Sequence, residues 1–161
     1  SCQIAERLGL DNCNDLTLMG ILHDIGKSKI DPKILLKPTK LSKAEFRIME
    51  KHSQYSQELI IHFLGDSTRS RYLAKAVRHH HERWDGTGYP DGLMNRQIPI
   101  ESRILAIADV FDAMTQPRVY RPYPLINAIE AMKKELDKKF DPELFKVALP
   151  VLNKWLLSNK Q

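Results

Sequence analysis

A glycine- and proline-rich segment, residues 81–99, is the feature that most constrains how this chain folds. It contains three of the seven glycines and two of the nine prolines in the 161 residues. On both sides of it, apolar residues recur at helical spacing, whereas alternating strand patterns are scarce. Long loops inside compact domains are uncommon unless they carry function. The sequence therefore predicts an all-α fold that is interrupted by one long functional loop.

The predicted helices are bounded by capping residues. Ser42 and Glu45 match a capping box, and Asp141-Pro142 combines an N-cap with a proline at the first helical position. Pro150 is expected to kink or end the helix that follows, because proline lacks the backbone N–H. An apolar stripe that we expect to be buried runs along an early helix and is formed by Leu16, Met19, Ile21 and Leu22.

Length and composition narrow the class of protein. A chain of 161 residues fits one domain with a sizeable core, and 42% hydrophobic with 28% charged residues excludes intrinsic disorder. No apolar run approaches the roughly 18–20 residues that a membrane span needs. Cys2 and Cys13 match no disulfide or metal pattern and fit a reducing compartment.

The net charge of +5 could suggest a nucleic-acid partner. Much of the basic excess lies in lysine-rich helical stretches, such as residues 133–139, which are typical of a solvated helix face. No aromatic residues alternate with these lysines as they do in proteins that bind single strands. We therefore expect no nucleic-acid partner.

Two aspartates stand where a carboxylate is unfavourable. Asp24 follows His23 at the C-terminal end of an apolar helix, where the helix dipole disfavours negative charge. Asp109 interrupts the nearly all-apolar run at residues 104–114, where a buried acid needs a partner. Each position alone also fits a solvated or structurally paired acid, but together they suggest a compensating cation.

Three further histidines could join these aspartates. His52 follows the capped helix and, taken alone, fits a surface or core histidine. His80 and His81 are adjacent, so both side chains can face one centre only near a helix end. A mixed set of imidazole nitrogens and carboxylate oxygens suits Mn, Fe or Zn better than Ca or Mg. If Asp24 bridged two metals, the pair would suit phosphoester hydrolysis.

Two motifs carry a resemblance to a known family. The segment HDIGK at positions 23–27 and the segment HHERWDGTGYP at positions 80–90 resemble the HD-GYP family, a branch of the HD-domain metal-dependent phosphohydrolases. The match extends over almost the entire chain and includes ADVFDAM at positions 108–114. The resemblance implies an HD-domain-like helical bundle with a long GYP signature loop, and one domain over residues 1–161.

The resemblance also implies an activity. Many members hydrolyse cyclic di-GMP to pGpG and, in some cases, to GMP, using a hydroxide that bridges two divalent metals, here expected to be Fe or Mn. By motif position, Lys27 and Asp24 are the predicted catalytic residues. The predicted substrate contacts are Tyr89, Arg118 and Arg121, of which the last is often Lys in the family. The predicted metal ligands are His23, Asp24, His52, His80, His81 and Asp109.

One departure leaves an alternative open. The family pattern includes another ligand histidine, and in some members a glutamate, on a helix just before the position of Ser1. We expect a domain truncated at its N-terminus. The alternative is a non-catalytic regulatory module that binds a cyclic dinucleotide or a diguanylate cyclase (GGDEF) partner. The choice between guanine and adenine dinucleotides is open as well.

The resemblance implies a setting for this domain. Family members are commonly output domains that follow a receiver or sensor domain in the same chain. We therefore expect an upstream regulatory domain and a location in the bacterial cytoplasm.

Overall fold

The computed structural model describes residues 1–116 and 127–159, and those residues are predominantly helical. No β-strand is present in these two ranges, which confirms the predicted all-α class. Short 3-10 segments occur at Ile25–Lys29 and Asn95–Gln97. The α-helices are α1 (Cys2–Arg7), α2 (Cys13–Leu22), α3 (Pro32–Leu35), α4 (Lys43–Glu50), α5 (His52–Leu64), α6 (Thr68–Arg78), α7 (Ile100–Thr115), α8 (Ala128–Lys133) and α9 (Pro142–Ser158).

The helix-capping residues predicted from the sequence cap helices at the expected positions. The Ser42 hydroxyl accepts the Glu45 backbone N–H while the Glu45 carboxylate accepts the Ser42 N–H, a complete capping box at the start of α4. The Asp141 carboxylate accepts two backbone N–H groups at the start of α9.

Pro150 does not end α9. Apolar residues on both sides of Pro150 are buried, so packing holds the helix together as far as Ser158.

Helix α7 lies at the middle of the bundle. It contacts α2, α6, α8 and α9, while α5 packs along α6 and against the 3-10 segment Ile25–Lys29. Burial of apolar surface between these helices is the main stabilising contribution to such a bundle. The largest fully buried side chains include Ile4, Leu16, Met19, Leu73, Ile104, Ile107, Met132, Phe140 and Phe145.

Gly26 sets how closely the 3-10 segment approaches α5. A Cβ atom at this position would overlap the His52 carbonyl and the backbone of Ser56, so only glycine fits. The Gly26 N–H donates to the Ser56 hydroxyl at 2.8 Å, and that hydroxyl donates to the His23 carbonyl at 2.9 Å. This close contact brings the end of α2 next to the start of α5.

Two local expectations are wrong. Ile21 is 71% exposed, whereas Leu16 and Met19 are buried, because only one face of α2 meets the bundle. Cys2 and Cys13 form a disulfide in the structure. Helices α1 and α2 pack against each other across a short turn, and their first residues lie with Cα atoms 4.7 Å apart.

None of the described helices combines the length and the apolar character that a membrane span needs.

Candidate metal centre

All six predicted metal ligands lie at one place in the bundle. Four of them, Asp24, His52, His80 and His81, each offer a ligand atom, and these atoms all lie within 4.8 Å of one another. His23 Nε2 adjoins this group, 3.2 Å from Asp24 Oδ2 and 3.8 Å from Asp109 Oδ1. The residues come from the end of α2, the start of α5, the segment after α6 and the middle of α7.

The end of α6 explains how adjacent histidines share one centre. The helix ends at Arg78, so His80 and His81 leave helical geometry and both turn toward His52. His81 Nε2 lies 3.1 Å from His52 Nε2. Two nitrogens at about this distance can both bind one ion in adjacent coordination positions at ~2.1 Å.

Asp24 occupies the middle of the cluster, and its two oxygens face different neighbours. Oδ1 lies 3.3 Å from His52 Nε2, whereas Oδ2 lies 3.2 Å from His23 Nε2. Lys27 Nζ donates to Oδ2 at 2.5 Å. This divergence is the geometry that a carboxylate needs to contact two cations at once.

Backbone carbonyls orient three of the histidines in the same way. In each, Nδ1 donates to the carbonyl of the residue three positions earlier, close to a helix end where such carbonyls lack helical partners. The Nδ1 atom therefore holds the proton, and the Nε2 lone pair points into the cluster. The pairs are His23 with Gly20 (2.8 Å), His52 with Met49 (2.7 Å) and His80 with Val77 (2.6 Å).

Several atoms of the cluster are buried without a hydrogen-bond partner among the described residues. They are Nε2 of His23, Nε2 of His80 and Oδ1 of Asp24. Folded proteins rarely leave buried polar atoms unpaired, because each such atom costs about 1–3 kcal/mol. Orphaned polar atoms that lie on and around Asp24 fit divalent cations, and the imidazole and carboxylate donors suit Mn, Fe or Zn.

The protonation states also suit metal binding. Burial lowers the pKa of His80 to about 3 and lowers the pKa values of His52 and His81 as well, which leaves these imidazoles neutral. Burial opposes ionisation of Asp24, but the neighbouring His23 and Lys27 outweigh it and hold the Asp24 pKa well below its usual range. Neutral imidazole and ionised carboxylate are the forms that bind metals.

Tyr89 covers the histidine side of the cluster. Its ring lies against His81, with centroids 4.9 Å apart, and it meets Phe46 of α4 edge to face at 6.3 Å. Burial, followed by the charges of Glu50, Asp24 and Asp109, raises the pKa of Tyr89 well above its usual range. The hydroxyl is therefore protonated and available as a hydrogen-bond donor.

Sequence reasoning missed Phe46 as a residue near the site. Its side chain is 48% exposed although it belongs to an amphipathic helix. The available signal was spacing, since Phe46 and Met49 of α4 and His52 at the start of α5 follow one another at intervals of three.

A cavity of about 630 Å³ opens on the other side of the cluster. His23 and Asp109 lie at its edge, and Phe111 and Trp155 form part of an apolar wall contributed by α7 and α9. The cluster therefore borders a space large enough for a small ligand.

A comparison with known families identifies the fold. A family model described as the HD domain matches residues 1–144. The chain belongs to the HD domain family. The His23-Asp24 pair and the surrounding helices are thus the framework of an HD domain, as the sequence motifs predict.

Curated relatives of this HD domain carry closely related names. It is 37% identical over 145 residues to the cyclic di-GMP phosphodiesterase response regulator RpfG of Xanthomonas campestris, covering 86% of this chain and 37% of that protein. It is 39% identical over 152 residues to a cyclic di-GMP phosphodiesterase of Thermotoga maritima, covering 92% and 41%. A 3'3'-cGAMP-specific phosphodiesterase of Vibrio cholerae is 36% identical over 153 residues. That match covers 93% of this chain and 32% of that protein.

A solved structure supports the same fold. The crystal structure of a cyclic GMP-AMP phosphodiesterase of V. cholerae, V-cGAP3, superposes with a TM-score of 0.60 at 23% identity, covering 98% of this chain and 42% of that one. The HD domain described here spans about two fifths or less of the length of these relatives. These findings confirm the predicted HD-GYP membership and the helical bundle.

Two predicted substrate contacts, Arg118 and Arg121, fall within residues 117–126, outside the part of the HD domain that the structure describes.

Proposed function

We propose that this HD domain is a metal-dependent phosphodiesterase that hydrolyses cyclic di-GMP to pGpG, with GMP as a further candidate product. The observation that carries this proposal is the convergence of orphaned Nε2 and Oδ1 atoms around Asp24. Support comes from relatives that are named as cyclic di-GMP and 3'3'-cGAMP phosphodiesterases. A centre of this composition is suited to phosphoester hydrolysis.

We assign the ligands of two divalent ions, Fe or Mn, as follows. One ion would be held by Asp24 with His52, His80 and His81, and the other by Asp24 with His23 and Asp109. When bound, such ions polarise phosphoryl oxygens and lower the pKa of a water molecule. The geometry that supports the bridging role of Asp24 is the divergence of its two oxygens.

Lys27 is the proposed cationic catalytic group. Its Nζ lies beside Asp24 Oδ2 and keeps about a third of its side-chain surface exposed, so it is accessible to a substrate phosphate. An ammonium group there offsets the charge that develops on the phosphoryl oxygens during in-line displacement. The same ammonium is the candidate donor of a proton to the leaving 3'-oxygen.

The aromatic pair beside the cluster is proposed to bind the nucleotide. Tyr89 offers a protonated hydroxyl near the scissile phosphate, and Phe46 extends the aromatic surface toward solvent. Nucleobases stack on surfaces of this kind with little dependence on base identity. Arg118 and Arg121 remain predicted phosphate contacts.

The test is a hydrolysis assay on this chain after loading with Mn or Fe. Cyclic di-GMP and 3'3'-cGAMP are supplied separately, and products are separated by chromatography. We expect pGpG to appear from cyclic di-GMP and to depend on the bound metal. A variant with Asp15→Ala, a carboxylate of α2 that pairs with Arg69 away from the centre, serves as a control.

The non-catalytic module is the competing outcome of this assay. A chain that holds stoichiometric metal and binds cyclic di-GMP but releases no linear product would overturn the phosphodiesterase proposal. The GGDEF partner, an upstream receiver or sensor domain and a cytoplasmic location are further proposals that come from the family resemblance.

A further inference from the structure

The signature loop is attached to the end of α6 by a buried carboxylate. Glu82 is only 3% exposed, and it follows directly after the paired histidines. Its Oε1 accepts the Asp91 backbone N–H at 2.8 Å, and its Oε2 accepts the Leu93 N–H at 3.1 Å. Both oxygens of one side chain thus hold the backbone just beyond Tyr89.

A second attachment uses the side chain of Asp91. Arg78 Nε donates to Oδ2 at 2.8 Å and Arg78 Nη2 donates to Oδ1 at 2.7 Å, a two-pronged ion pair with defined direction. His79 Nε2 lies 2.7 Å from Oδ2. Arg78 also donates to the Gln57 side chain of α5 at 2.9 Å, which connects the pair to the helix that begins with His52.

Tyr89 lies between these attachments and the metal ligands. Asp91 is two residues after it, while the backbone N–H of Tyr89 faces the His81 carbonyl at 3.4 Å. Gly88 permits this approach, because a Cβ there would overlap the backbone at His81 and Glu82. The loop backbone at Tyr89 and just beyond it is therefore held by residues that directly follow α6.

We propose that Arg78, His79, Glu82 and Asp91 form a loop clamp whose role is to hold Tyr89 in its orientation over the metal ligands. These four are positioning residues, since none of them belongs to the ligand set or touches the proposed site of phosphate cleavage. The proposal rests on the proposed function, because it is substrate binding by Tyr89 that the clamp serves.

A matched ion pair on the same helix separates this role from simple stability. Arg71 and Asp66 at the start of α6 form the same two-pronged arrangement, with Nε and Nη2 of the arginine on the two carboxylate oxygens. That pair is local and exposed and touches no part of the loop. Exposed ion pairs contribute little to stability, so Asp66→Ala serves as the reference for losing a two-pronged ion pair that does not hold the loop.

The experiment compares Asp91→Ala with Asp66→Ala in the metal-loaded chain. Hydrogen exchange of residues 88–93, followed by mass spectrometry, reports on the clamp without reference to any substrate. We expect Asp91→Ala to accelerate this exchange at least about tenfold, with metal content and unfolding temperature close to those of Asp66→Ala. Equal exchange in the two variants would overturn the clamp.

The kinetic part tests whether the clamp acts through Tyr89. We expect Asp91→Ala to raise KM for cyclic di-GMP about tenfold or more, and Asp91→Asn to restore part of this loss. In a Tyr89→Phe background the same Asp91→Ala change should have a much smaller effect, because the hydroxyl that it positions is gone. Full additivity of the two substitutions contradicts the proposed role.

Hydrogen exchange and kinetics together distinguish a failure of the clamp from a failure of the proposed function. If the wild-type chain does not hydrolyse cyclic di-GMP, the proposed function fails, and the exchange comparison still decides whether the loop is clamped. If hydrolysis occurs and exchange is unaffected by Asp91→Ala, the function stands and the clamp is wrong.

Discussion

The two sides of Asp24 differ in construction. On the imidazole side, which comprises His52, His80 and His81, two of the histidines are almost completely buried at 2% and 1% exposure. On the open side, which comprises His23, Lys27 and Asp109, the side chains of His23 and Asp109 are 23% and 27% exposed. One carboxylate therefore connects a closed, nitrogen-rich position with an accessible, oxygen-rich one.

This difference suggests that the two sides of Asp24 have different roles. Histidines that are oriented by backbone carbonyls and surrounded by packed helices form a preorganised position, which favours tight binding of one ion. The open side borders the large cavity and contains an ammonium group that also competes for Asp24 Oδ2. We expect the two positions to hold metal with unequal affinity, and the open side to meet the substrate.

The most damaging change removes the residue that both sides share. Asp24→Ala deletes the carboxylate oxygens that face His23 and His52, so the imidazole side loses its carboxylate ligand and the open side keeps only that of Asp109. We expect loss of bound metal and a fall in phosphodiesterase activity of roughly 10³-fold or more. Elemental analysis and a hydrolysis assay measure the two effects.

Asp15→Ala, on the helix that precedes Asp24, is the control for this variant, and it should keep both metal and activity. Full activity in metal-free Asp24→Ala protein would falsify the two-metal assignment.

The next comparison separates the two sides directly. His80→Ala removes a buried nitrogen from the imidazole side, and His23→Ala removes one from the open side. We expect His80→Ala to weaken the tighter ion by about 10–100-fold, whereas His23→Ala leaves that ion in place and weakens only the second. Competition with a calibrated chelator measures both affinities.

Circular dichroism of each variant checks that the helices remain. If both substitutions weaken the same ion equally, the two sides are not separate positions.

A smaller effect is expected at the aromatic cover of the imidazole side. Tyr89→Phe removes one hydroxyl and keeps the ring against His81, so metal content should not change. Loss of one hydrogen bond to the substrate predicts about a tenfold drop in kcat/KM. Loss of metal from this variant would mean that Tyr89 supports the ligands instead of the substrate.

The smallest effects concern packing around the two sides. Val77 is fully buried and its carbonyl orients His80, whereas Ile21 is exposed beside the cavity. We expect Val77→Ala to lower the free energy of unfolding by about 2 kcal/mol and Ile21→Ala by about 0.5 kcal/mol or less. Urea unfolding of both variants provides the values, and equal losses would show that the open side is packed as tightly as the other.

Much of the fold was predictable because its signals are local. The capping box at Ser42, the cap and proline at Asp141, and the loop at residues 81–99 all depend on chemistry within a few residues. The motifs around His23 and His80 were equally visible. The errors at Ile21 and at Cys2 arose where the outcome depended on which helix packs against which face.

The sequence predicted which residues form the candidate site, but it did not predict how they are arranged. The ligand residues follow from residue type and motif, and the structure brings all six together. The loop clamp escaped notice, because an arginine or an aspartate has no distinctive local pattern, and the spacing of Phe46 from His52 does not by itself mark a site. Their significance depends on neighbours that are distant in the chain.

By itself, the sequence determined the helical class, the position of the signature loop, the HD family and the set of residues that we propose as metal ligands. These properties depend on local periodicity and on side-chain chemistry. Only the tertiary structure decided that the two oxygens of Asp24 face different histidines and that one side is closed while the other is open. Such directions arise from packing between distant helices, which fixes side-chain rotamers and burial that no local pattern encodes.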